Sequence, residues 1–130
     1  MLPLCRAEGI GVIPYSPMAR GFLAGDRKKE GGGDTVRAKS DNLARKFYFA
    51  DSDFAIAERV GELATRRGVS RMQVALAWVL SRPGVTAPII GASKLPHLDQ
   101  AIDALDVTLT AEECVFLEER YQPHPVVGPL

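Results

Sequence analysis

The sequence predicts an α/β fold and, within that class, the C-terminal part of a (β/α)8 TIM barrel, incomplete as a stand-alone chain. Two short apolar runs bounded by glycine and proline, residues 10–15 and 86–90, read as buried strands. Segments with helical apolar spacing lie between and after them. This alternation implies parallel strands, which are stable only when helices cover both faces. Two strands do not make such a sheet. Two terminal strands of a barrel of about 250 residues, with their helices and one long loop, would fill the 130 residues present. The chain is therefore read as one segment, 1–130, of a larger body.

In chain order, residues 2–8 look like the end of a helix that exits at Gly9, so Met1 opens inside an element. The first strand follows and stops at Pro14 and Pro17. Residues 24–48 dissolve into charge and glycine, including Asp26, Arg27, Lys28, Lys29 and Glu30 ahead of Gly31–Gly33, and form a long loop. A lid and a solvated tether are both open readings of it. A helix over 52–67 is marked by the cap oxygens of Asp51, Ser52 and Asp53 and by Ile56, Ala57, Val60, Leu63 and Ala64, ending at Gly68. Ser70 and Gln73 then make a capping box for a helix over 71–80, broken by Pro83. Beyond the second strand, Leu95, Leu98, Ile102 and Leu105 give one apolar stripe, a helix over 95–105. Thr110 and Glu113 form another capping box, opening a helix over 111–120 before a proline-rich tail.

Composition narrows the chemistry. Hydrophobic residues are 46% and charged residues 25%, the range of a folded domain. Lys plus Arg equals Asp plus Glu at 16 each, so no net field attracts nucleic acid or an anionic membrane. No apolar run approaches the roughly 20 residues of a membrane-spanning helix, and no signal peptide is visible, which makes the cytosol the expected compartment. Cys5 and Cys114 are far apart, and His97 and His124 are isolated, so no metal site is expected. Trp78 reads as a core residue rather than a ligand platform.

At the level of motifs, the run Gly9-Ile10-Gly11-Val12-Ile13-Pro14-Tyr15-Ser16-Pro17-Met18-Ala19-Arg20-Gly21 resembles the seventh barrel strand and following loop of the aldo/keto reductases. Their common pattern there is a strand ending in aromatic-Ser-Pro-Leu-Ala-x-Gly. Residues 85–100, from Val85 through Pro88, Gly91 and Ser93 to Gln100, resemble the eighth strand and the helix after it. Residues 73–80 are similar to the helix between those strands. Together the matches cover nearly the whole chain in the family's order.

The resemblance implies a site in two patches. Tyr15 would stack on a nicotinamide ring, while Ser16, Pro17, Met18, Ala19, Arg20 and Gly21 would lie along the pyrophosphate, where small residues allow close approach and a guanidinium can pair with phosphate. Gly91, Ser93, Lys94, His97 and Gln100 would hold the adenosine end at a helix N-terminus. Many relatives have lysine at the strand end, arginine where His97 stands and asparagine where Ala101 stands. Subgroups with Gly-x-Ser at this place still use NADP, so NADPH is expected over NADH. The family's tyrosine, lysine, aspartate and histidine belong to earlier strands; Tyr15, Tyr48 and Tyr121 fall outside that motif, and no catalytic residue is assigned.

The implied activity is reduction of an aldehyde or ketone to an alcohol by the whole protein, with this chain supplying cofactor contacts and being inactive alone. Two other outcomes remain open: a non-catalytic nucleotide-binding or regulatory module, and a chain that self-associates to cover the faces its absent strands would occupy.

Overall fold

The computed structural model describes residues 1–29 and 42–125. Residues 30–41, within the stretch read as a long loop, and the end of the tail, 126–130, lie outside the described residues. Six helices are present among the described residues: α1 (Leu2–Ala7), α2 (Asn42–Phe47), α3 (Asp51–Arg67), α4 (Arg71–Leu80), α5 (Leu95–Asp103) and α6 (Ala111–Glu118). Short 3-10 turns occupy Ala19–Gly21 and Ala104–Asp106.

Local chemistry sets the helix boundaries. The Ser70 Oγ accepts from the Gln73 amide at 3.2 Å while the Gln73 Oε1 accepts from the Ser70 amide at 2.7 Å, closing the box that starts α4. Thr110 and Glu113 do the same for α6, at 3.2 and 2.8 Å. At α3 the helix begins at Asp51 itself, and Asp53 Oδ2 accepts from the Ala50 amide at 3.0 Å. Gly68 ends α3 with φ of 67°, a left-handed conformation that glycine adopts without a Cβ clash.

Two differences from the sequence reading stand out. Residues 10–15 and 86–90 are not continuous strands: they meet only at isolated parallel bridges, Val12 with Val85 and Tyr15 with Ile89. The bonds are Thr86 N to Val12 O and Ile89 N to Pro14 O, both 2.8 Å. The two bridged positions are three apart in sequence on one side and four apart on the other, so the second segment carries one extra residue. Pro88 lies within that step and has no amide to donate, which breaks the ladder. The second difference is α2, a helical turn and a half at 42–47, inside the span read as loop.

Helix α4 is the centre of the packing, touching α3, α5 and the 104–106 turn, while α6 lies on α3. One cluster joins Val60, Leu63, Ala64, Val74 and Leu117, with Leu23, Val69, Trp78, Leu109 and Phe116 against it. Leu63 and Val74 are 1% and 0% exposed, so this is dry core. Trp78 lies at its rim, half-buried, with its Nε1 donating to Glu118 Oε1 at 2.8 Å and the Arg82 guanidinium 4.8 Å from its ring centre. A second cluster joins Met72, Leu76 and Ala104 to Met18, Ile90 and Ala101. Met18 follows the first extended segment and Ile90 ends the second, so this cluster fixes both segment ends on the same helix.

Candidate functional site

The loop after the first extended segment is built under backbone strain. Ser16, Ala19 and Arg20 have φ of 53°, 47° and 59°, and Gly21 follows at 88°. Left-handed backbone costs a non-glycine residue about 1–2 kcal/mol, so three of them in five positions need support. Ala19 N donates to Ser16 O at 2.8 Å, Gly21 N to Met18 O at 3.0 Å and Phe22 N to Ala19 O at 3.1 Å. The Arg27 Nη2 donates to Arg20 O at 3.0 Å. Phe22, 3% exposed, anchors the loop from below, its ring 5.0 Å from Phe54 and 5.7 Å from Phe49.

This loop and the start of α5 enclose two adjoining clefts. The smaller, about 280 Å³, is lined by Tyr15, Ser16, Pro17, Met18, Arg20 and Gly21 from the loop and by Ile89, Ile90 and Gly91 opposite. The larger, about 380 Å³, is lined on one side by Met18, Arg20 and Gly21 and on the other by Gly91, Ser93, His97 and Gln100. Met18, Arg20, Gly21 and Gly91 belong to both, so the clefts form one trough. At Gly91 a Cβ would meet no protein atom within 4 Å; protein packing leaves that wall open.

Ten of the twelve residues singled out from the sequence line the trough. Ala19 does not, because it is taken up by the 3-10 turn, and Lys94 does not, because it stands as the exposed residue preceding α5. Tyr15 is 80% exposed, its ring standing over the smaller cleft rather than packed into the strand end. The wall also contains residues that the sequence reading passed over: Ala24, Asp26, Ser70, Arg71 and Met72. For Ser70 to Met72 a signal existed. The helix after a parallel strand returns antiparallel to it, so the first turn of the next helix-to-strand unit opens on the same end as the strand's C-terminus.

Tyr48 also belongs to this neighbourhood. Burial pushes its phenol above the usual tyrosine value, with Tyr15 adding to the rise, Arg20 opposing it and Asp53 adding. Its ring lies 6.4 Å from Phe22 and 5.9 Å from Phe47. Of the tail, His124 Nε2 meets Asp53 Oδ1 at 2.8 Å, which ties that end to the start of α3. No group of three or more potential metal ligands occurs among the described residues, and no helix described is long and apolar enough to cross a membrane.

Comparison with known proteins gives a consistent answer. Residues 1–121 match the model of the aldo/keto reductase family. The chain is 39% identical over 129 residues to versiconal hemiacetal acetate reductase of Aspergillus parasiticus, covering 97% of this chain and 36% of that protein. It is 38% identical over 128 residues to an aldo-keto reductase of Alternaria alternata, covering 98% and 34%. Among solved structures, a thermostable aldo-keto reductase in complex with the inhibitor epalrestat superposes with a TM-score of 0.60 at 22% identity, over 92% of this chain and 33% of that one. The chain thus spans about a third of the length of these relatives, a partial TIM barrel. Its match to the family model from residue 1 to residue 121, together with these relatives, places it in one lineage: the chain belongs to the aldo/keto reductase family.

Proposed function

We propose that the trough holds the NADPH of a carbonyl reductase, and that the whole protein, in the cytosol, reduces aldehydes or ketones to alcohols. One observation carries this reading. The two clefts share four wall residues, drawn from patches separated by some 70 residues of sequence, so a single elongated ligand can touch both patches. The residues fit a dinucleotide. Tyr15 offers an exposed aromatic face for a flat heterocycle, Arg20 brings a guanidinium to the shared section, and Gly91, where a Cβ would meet no protein atom, leaves the backbone approachable.

When bound, the cofactor supplies hydride to a carbonyl carbon. The chain's own residues bind and orient it: Ser16, Pro17, Met18 and Arg20 from the strained loop, Ser93, His97 and Gln100 from the far wall, with Ala19 behind the loop and Lys94 at the rim of α5. Preference for NADPH over NADH is part of the proposal. The Tyr48 phenol, raised above its usual value by burial and then by Tyr15, falls outside the family's tetrad motif.

The test is direct binding. Titrating the chain with NADPH should enhance nicotinamide fluorescence and saturate, and Arg20→Ala should weaken binding by about ten-fold through loss of a charge-assisted contact. No carbonyl turnover is expected from the chain by itself. Absence of saturable NADPH binding, or binding indifferent to Arg20→Ala and Tyr15→Ala together, would overturn the reading.

A further inference from the structure

One wall of the larger cleft comes from outside the two patches. Arg71, the first residue of α4, lines it together with Ser70 and Met72, opposite Ser93, His97 and Gln100. These residues do not reach the smaller cleft beside Tyr15, so they stand at the end of the trough away from it. The Arg71 side chain is half-buried. Its Nη1 donates to the Ala57 carbonyl at 2.6 Å, and among the described residues that is its one hydrogen bond; no carboxylate pairs with it. A guanidinium carries five N–H donors, so most of its capacity and its full charge are left to whatever enters the cleft.

The placement is specific. Gly61 and Gly25 flank the guanidinium: a Cβ at Gly61 would collide with it, and one at Gly25 would lie 3.3 Å from its Cδ and Nε. Two glycines, one of them inside a helix, thus make room for this cation. Among the described residues, the charged side chains lining the cleft are Arg20 and Arg71 against one carboxylate, Asp26, which sits by Gly21. The excess is cationic.

We propose that Arg71 is the cation that recognises a phosphate monoester on the adenosine ribose, and so sets the preference for NADPH over NADH. The proposal rests on the dinucleotide reading above. A half-buried guanidinium with one backbone acceptor lacks an anion, and a phosphate oxygen can take two of its parallel N–H groups. His97 and Ser93 across the cleft supply further donors without needing a second fixed charge.

Calorimetry with two small probes isolates this group: both carry a 5′-phosphate, and only adenosine 2′,5′-bisphosphate, not adenosine 5′-monophosphate, adds the 2′-phosphate that Arg71 is proposed to recognise. The chain should bind the bisphosphate about ten-fold more tightly, and Arg71→Gln should reduce that ratio to about two-fold while leaving monophosphate affinity unchanged. Arg71→Lys, which keeps the charge and loses the planar fork, should fall between, and serves if the glutamine variant does not fold. Monophosphate binding with an unaltered ratio in either variant would overturn the role of Arg71 alone. Equal loss of both probes would show a structural role and overturn it too. Failure of the unaltered chain to bind either probe would bring down the dinucleotide reading and this proposal with it.

Discussion

Gly61 shows how one residue's identity is explained only by a partner elsewhere. Inside a helix, glycine is about 1 kcal/mol worse than alanine, and Gly61 is buried in the middle of α3. Its missing Cβ is where the Arg71 guanidinium lies. Gly61→Ala should therefore gain nothing in the unaltered chain, because the propensity gain is offset by displacing Arg71 from the Ala57 carbonyl, a hydrogen bond to a charged group. In an Arg71→Gln background the same change should stabilise by about 1 kcal/mol. Urea midpoints for the four proteins of this cycle give the coupling, and additive effects would show that glycine is there for another reason. The same pair marks the limit of legibility in the site. Tyr15 to Gly21 and Gly91 to Gln100 can be found because each patch is contiguous and patterned. Arg71 and Asp26 cannot, because their meaning depends on which wall they face across the cleft.

At the scale of elements, capping chemistry is the most legible signal, since a cap needs only residues three positions apart. Ser70 with Gln73 and Thr110 with Glu113 are both closed in the structure. The extended segments are less legible: apolar runs announce burial, but Pro14 and Pro88 decide how little ladder forms, and the sheet that would regularise it is not in these residues. Helix α6 also carries a pH dependence. Glu113 is held below the usual carboxylate range, first by the Arg67 side chain, whose Nε and Nη2 meet its oxygens at 2.8 and 2.7 Å, then by the Thr110 amide. Glu119 is lowered likewise, first by Arg59. A depressed folded pKa contributes stability above the unfolded value, about 4.3, and that contribution is lost as pH falls through the folded pKa. Stability should thus decline below about pH 5. Glu113→Gln keeps the capping box while removing the titration, so its unfolding free energy should fall less steeply between pH 5 and 3; an unchanged slope would contradict the assignment.

The molecule as a whole presents apolar surface in two places that share a cause. Gly11, Ile13 and Tyr15 alternate onto one face of the first segment, and Ile13 is 61% exposed. On α5 the stripe of Leu95, Leu98 and Ile102, continued by Leu105 at 68%, faces outward as well. Each extended segment pairs only with the other among the described residues, so each also has an open edge. These are the faces that neighbouring strands and helices cover in a closed barrel, and the chain spans about a third of its relatives' length. Taken by itself at micromolar concentration, the 130-residue chain should therefore self-associate, because burying apolar area contributes about 25 cal/mol per Å² and open strand edges supply ready hydrogen-bond partners. Ile13→Lys combined with Leu105→Lys should shift sedimentation toward the monomer and reduce binding of a hydrophobic dye, while helices α3, α4 and α6, packed elsewhere on Leu63 and Val74, keep their circular dichroism. A chain that sediments as a monomer before any substitution, unfolds in one cooperative step and binds no dye would mean that these faces are satisfied internally, and that the closed barrel is not what they are shaped to meet.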